Sequence, residues 1–164
     1  MLETRPSGCA HLGEHKSDYD FEYIFHLIRN PLTCISSMLN FFHEADYVFH
    51  NAMPNLQGVV RGDLYSVMRM YYEVNKQCDS HNAVRVKLEN IDYVAKDIAR
   101  QVFGVELKVP KIEKVNVSSK PPKPLTWKKL YGVNQNLAAQ IYEMAFGYGY
   151  VHAFDIEHEI QKEL

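Results

Sequence analysis

Arg29, Thr33 and Ser37 are the first side chains in this chain whose types and spacing suit anion binding. Arg29 follows the run FEYIFHLI, Phe21 to Ile28, whose nearly continuous apolar character predicts a strand buried on both faces of a parallel sheet. Ligands of open α/β sheets bind beyond the carboxyl ends of such strands, where this arginine stands. Asn30 is a good helix N-cap, and Pro31 sits at the first helical position, where its missing N–H costs nothing. Free N–H groups at the helix start favour an anion, and the guanidinium adds a forked, permanently charged donor. Thr33 and Ser37 share a helix face turned away from the stripe of Leu32, Ile35, Leu39 and Phe42. Taken singly, Arg29 reads as a strand-end surface ion pair and Ser37 as a packed hydroxyl. In register with Pro31, they read as a phosphate site.

Other chemistry-bearing groups are weaker. His11-x-x-x-His15 with Glu14 has metal-like spacing but no third and fourth ligand pattern and no periodic helix to hold it, so no metal site is expected. Tyr71, Tyr72 and Trp127 can stack on a base, yet aromatic residues at helical spacing are ordinarily core. Asn75 serves the site or caps its helix, and Glu89 reads as an acceptor where a strand turns into a helix. Lys108, Lys111, Lys114, Lys120 and Lys123 make a basic connector, read as a solvated linker.

The elements that must position these groups follow from periodicity. Residues 1–20 are polar and aperiodic and read as a leading loop. After the first strand-turn-helix unit comes an irregular connection over 44–62. Asp63 then caps a helix with Leu64, Val67, Met68, Tyr71 and Val74 on one face, ending near Cys78. A turn at 79–82 leads to a second strand, in which Val84, Val86 and Leu88 alternate with Arg85 and Lys87. Ile91, Val94, Ala95, Ile98, Val102 and Phe103 define another amphipathic helix, closed by Gly104. The proline- and lysine-rich stretch 105–125 predicts an extended connector, followed by a last helix from Asn134 to Phe146 that ends at Gly147 and Gly149. Two strands, each followed by a helix, give the fold class α/β in one domain over 1–164.

On these residues the chain resembles the sulfotransferases that use 3′-phosphoadenosine 5′-phosphosulfate, PAPS. Arg29, Asn30, Pro31 and Ser37 are similar to the family's strand-end Arg, its following Asn-Pro, and the Ser eight residues on that joins the Arg in binding the 3′-phosphate. MRMYYEVNKQ (68–77), VRVKLENI (84–91), and LTW (125–127) followed by a helix and GYGY also resemble family segments, in the family's order. The resemblance implies a partial three-layer sandwich around a parallel sheet, of the P-loop nucleotide-hydrolase-like sulfotransferase type. It implies PAPS as sulfuryl donor, Arg29 and Ser37 as its 3′-phosphate ligands, and a small-molecule or glycan hydroxyl or amine as acceptor. In that family a Glu or His upstream of the Arg removes the acceptor proton as general base; Glu14 and His15 fall in that region. The family's Gly/Ser/Thr-rich loop for the 5′-phosphosulfate has no counterpart here, and the expectation is a domain incomplete at its amino end. A non-catalytic phosphate-binding α/β module is the alternative. A kinase-like domain is disfavoured because no Gly-Lys-Ser/Thr loop is present.

Bulk properties bound the remainder. With 46% hydrophobic and 12% aromatic residues, the chain can build a sizeable core. Eighteen basic against twenty acidic side chains leave a formal charge of -2, so no global field recruits nucleic acid or anionic lipid, and an anion site must be local. Cys9, Cys34 and Cys78 are odd in number with no C-x-x-C, which points to a reducing compartment, the cytoplasm. No run reaches the ~20 apolar residues of a membrane span.

Overall fold

A computed structural model describes residues 25–41, 62–81, 83–106, 108, 124–152 and 156–162. His11, Glu14 and His15, the connection over 44–61 and most of the lysine-rich connector lie outside these residues. The described elements are β1 (Phe25–Ile28), α1 (Pro31–Phe41), α2 (Leu64–Asp79), β2 (Val84–Lys87), a 3-10 turn (Leu88–Asn90), α3 (Ile91–Phe103), α4 (Trp127–Val133), α5 (Gln135–Gly147) and α6 (Ile156–Lys162). The described fold is thus mostly helical, with a small parallel sheet of two strands, loosely α/β. No helix among the described residues is long and apolar enough to cross a membrane.

Local chemistry accounts for the helix starts. Asn30 Oδ1 accepts the backbone N–H groups of Leu32 and Thr33 at 3.0 and 3.3 Å, capping α1 as its sequence predicts. Asp63 accepts from Ser66 N–H at 2.8 Å, Thr126 from Lys129 N–H and Asn134 from Leu137 N–H. α5 ends in a Schellman turn: Tyr150 N–H reaches Ala145 O and Gly149 N–H reaches Phe146 O, with Gly149 at φ +69°. Only glycine takes that left-handed conformation without strain.

In β1 and β2 the register is Phe25↔Val84, His26↔Arg85, Leu27↔Val86 and Ile28↔Lys87. Successive side chains alternate, so His26, Ile28, Arg85 and Lys87 share one face, and Phe25, Leu27, Val84 and Val86 the other. The first face meets α2 and the turn after α5. On the second face Val86 is buried, whereas Leu27 and Val84 are about half exposed. The expected two-sided burial of β1 is therefore not seen among the described residues. The expected buried alternation of Val84, Val86 and Leu88 narrows to Val86 alone, because Leu88 has left the strand for the 3-10 turn.

The core lies between α1, α2, α4 and α5. Ile35, Met68, Leu130 and Ile141 are almost fully buried there, each worth about 1.5–3 kcal/mol against exposure. Trp127 meets Tyr142 edge to face, with ring centres 4.8 Å apart. Tyr71 and Trp127 are thus core aromatics. α1 turns Ile35 into this core and leaves Thr33 exposed, but Ser37 is half-buried like Leu32 and Leu39 of the apolar stripe, and Ser36 is buried, so the expected division holds for Thr33 and is not seen for Ser37.

Candidate anion site at the carboxyl edge of the sheet

Arg29 leaves the carboxyl end of β1 and immediately precedes the cap of α1, and its backbone is held on both sides. Tyr150 O–H donates to Ile28 O at 3.2 Å, Tyr71 O–H donates to Arg29 O at 3.1 Å, and Asn30 N–H donates to Glu89 at 3.3 Å. Glu89 also accepts Tyr150 O–H at 2.7 Å. Three successive residues are therefore tied to α2, to the 3-10 turn and to the segment after α5. Arg29 is half-buried, and among the described residues its guanidinium makes no hydrogen bond or ion pair.

The start of α1 departs from expectation in one respect. Its N–H groups are not free: Pro31 has none, Leu32 and Thr33 donate to Asn30 Oδ1, and Cys34 donates to Asn30 O at 2.9 Å. The asparagine cap fills the donors that an anion would use. What this edge offers a phosphate is then the Arg29 guanidinium, the helix dipole and hydroxyls. Thr33 Oγ1 donates to Asn30 O at 3.0 Å and can still accept. Ser37 lies one turn further along the same face, with no hydrogen bond from its hydroxyl among the described residues.

The electrostatics are those of a structured edge. Burial alone would raise Glu89, but the Tyr150 hydroxyl, the backbone N–H groups of Glu89 and Asn30, and the Arg29 charge outweigh it and hold the carboxyl below its ordinary range. Burial, then the hydrogen bond and charge of Glu89, push the Tyr150 phenol up, so it stays a donor at neutral pH. Tyr71 is raised too, chiefly by burial.

Lys87 completes the edge by donating to Gly149 O at 2.7 Å, its ammonium 4.7 Å from the Tyr150 ring centre. Glu89 is the junction acceptor its position suggested, and Asn75 is a buried structural residue: its Nδ2 donates to Tyr71 O and its Oδ1 faces His26 Nε2. His26, Asp79, Tyr148 and Tyr150 were not anticipated as organising residues. His26 sits inside an apolar run, and the only signal for the tyrosines is the alternation in GYGY.

A shallow pocket of about 210 Å³ lies at the opposite, amino end of the strands, beside Tyr72, Asp79, Arg85, Glu143, Met144 and Tyr148. Asp79 and Arg85 in its wall are paired with each other at 3.0 Å, so it offers an anion less than the Arg29 edge does. No group of three or more His, Cys, Asp or Glu suited to a metal occurs among the described residues. Set against protein-family models, curated proteins and solved structures, the chain matches none of them.

Proposed function

We propose that this chain carries the 3′-phosphate-binding half of a PAPS-dependent sulfotransferase domain of the P-loop nucleotide-hydrolase-like type. The observation that carries this reading is Arg29 at the carboxyl end of a parallel strand. Its guanidinium has no partner among the described residues, and Ser37 is a half-buried residue of the helix that follows, with no hydrogen bond from its hydroxyl among the described residues. In that role Arg29 supplies a charge-assisted forked contact and Ser37 a neutral hydrogen bond to the same phosphate. Sulfuryl transfer to a small-molecule or glycan hydroxyl or amine would also need positive groups at the 5′-phosphosulfate and a base, for which Glu14 and His15 are the candidates.

The second reading is a module that binds the nucleotide without turning it over; Glu89, the carboxylate described at this edge, already accepts from Asn30 N–H and Tyr150 O–H. Calorimetry with adenosine 3′,5′-bisphosphate and adenosine 5′-phosphate tests the binding site, and a labelled-sulfate transfer assay separates the two readings. Preference for the bisphosphate is expected; equal weak affinity for both nucleotides removes the 3′-phosphate assignment. Transfer by this chain would place catalytic groups within it, and binding without transfer favours the module.

A further inference from the structure

We infer that Glu89 and Tyr150 are positioning residues for Arg29, setting the direction of its guanidinium for an incoming phosphate. The inference rests on the anion-site reading above and adds residues that do not themselves touch the ligand. An arginine side chain has several rotatable bonds, and its aim depends first on where its own backbone points. Here the backbone is unusually restrained. The carbonyl before Arg29 accepts from Tyr150, the carbonyl of Arg29 accepts from Tyr71, and the amide after it donates to Glu89.

Glu89 and Tyr150 act as one unit, because the phenol that reaches Ile28 O also donates to the Glu89 carboxylate at the shorter distance of 2.7 Å. That carboxylate is close enough for the Arg29 charge to help keep it ionised, yet the two form no ion pair. Glu89 spends one oxygen on Asn30 N–H and the other on Tyr150 O–H. With both carboxylate oxygens engaged in this way, Glu89 restrains the backbone on which Arg29 stands and makes no ion pair with its guanidinium. The Tyr150 end is fixed in turn by the Schellman turn at Gly149 and by the Lys87 ammonium over its ring.

The test is calorimetric titration of the full chain and its variants with adenosine 3′,5′-bisphosphate. Losing preorganisation of one long side chain weakens binding by about three- to tenfold. Tyr150→Phe keeps the ring and removes only the hydroxyl, and Glu89→Ala removes both acceptors; each should show this loss, with Glu89→Gln recovering part of it. In an Arg29→Ala background neither change should weaken binding further, although each should still lower thermal stability. That split separates positioning from plain structural support. If Arg29→Ala binds as wild type, the site reading and this inference fail together. If Arg29→Ala weakens binding but Tyr150→Phe and Glu89→Ala do not, or if their losses persist in full without Arg29, the inference alone is overturned. Tyr150→Phe decides the matter even if Glu89→Ala fails to fold.

Discussion

His26 Nδ1 and the carboxylate of Asp79 meet at 3.1 Å, joining β1 to the last residue of α2. The ring is 1% exposed, and its other nitrogen lies 2.9 Å from Asn75 Oδ1. Asp79 also accepts from Arg85 Nε at 3.0 Å and from Tyr148 O–H at 2.8 Å, so one carboxylate ties together both strands, α2 and the end of α5. Asp79→Ala should cost about 2–3 kcal/mol, the scale for hydrogen bonds to a charged group whose buried partner is then left unpaired. Urea unfolding measures it, and a loss below about 0.5 kcal/mol, the level of a neutral surface change, would show that Asp79 is not the hub.

Acid stability should carry the mark of two carboxylates. Hydrogen bonds from the backbone and side chain of Ser66 hold Asp63 below its ordinary value of 3.8, and Glu89 is held below 4.5 by its hydrogen bonds and Arg29 despite burial. A depressed folded value means stability fully present above the unfolded value and lost as pH falls through the folded one. Stability should hold above about pH 4.5 and fall below it, with a flatter decline in Asp63→Asn and Glu89→Gln. Thermal melts across pH 2.5 to 6 read this; identical slopes in wild type and both variants would contradict it.

Gly149→Ala should cost about 1–2 kcal/mol for the left-handed backbone alone. An added Cβ would also come within 3.2 Å of Lys87 Nζ, disturbing the ammonium that caps Gly149 O. The equivalent change at Gly132, which has open space around it and no positive φ, should cost nothing comparable. Chemical denaturation of the two variants compares them, and equal stability would remove the case for the Schellman turn.

Cys34 should be a slow thiol. Burial pushes it up to about 11, with Arg29 opposing and Glu89 adding to the shift, so little thiolate exists near pH 8. Alkylation followed by mass spectrometry should label Cys34 slowly in the folded chain and readily in urea. Equal rates in both would mean that the α1 face carrying Cys34 is open.

The stripes of α1, α2 and α5 are legible because apolar residues recur at three- and four-residue spacing, and Asn30 and Asp63 mark two of the starts; the capping role of Asn134, which stands at the expected start of the last helix, appears only in the structure. α6 and the separation of α4 from α5 were not, since both elements are short and their order depends on packing. At the site, the place of Arg29 at a strand end followed from the apolar run before it. The occupied amides of α1 did not, although Asn30 has the sequence position of a cap, because a cap and an anion compete for the same N–H groups. The roles of His26, Tyr148 and Tyr150 depend on partners 53, 69 and 122 residues away, a separation no local pattern encodes.

If Arg29 binds a 3′-phosphate as proposed, the affinity of Arg29→Ala for adenosine 3′,5′-bisphosphate will show it. Arg100→Ala, an equal charge change on an exposed position of α3, serves as control. Losing the charged partner of a partly desolvated phosphate should cost about 2 kcal/mol, roughly thirtyfold in Kd, with little change for adenosine 5′-phosphate or in the control. Equal losses in the two variants, or none in Arg29→Ala, would contradict the site.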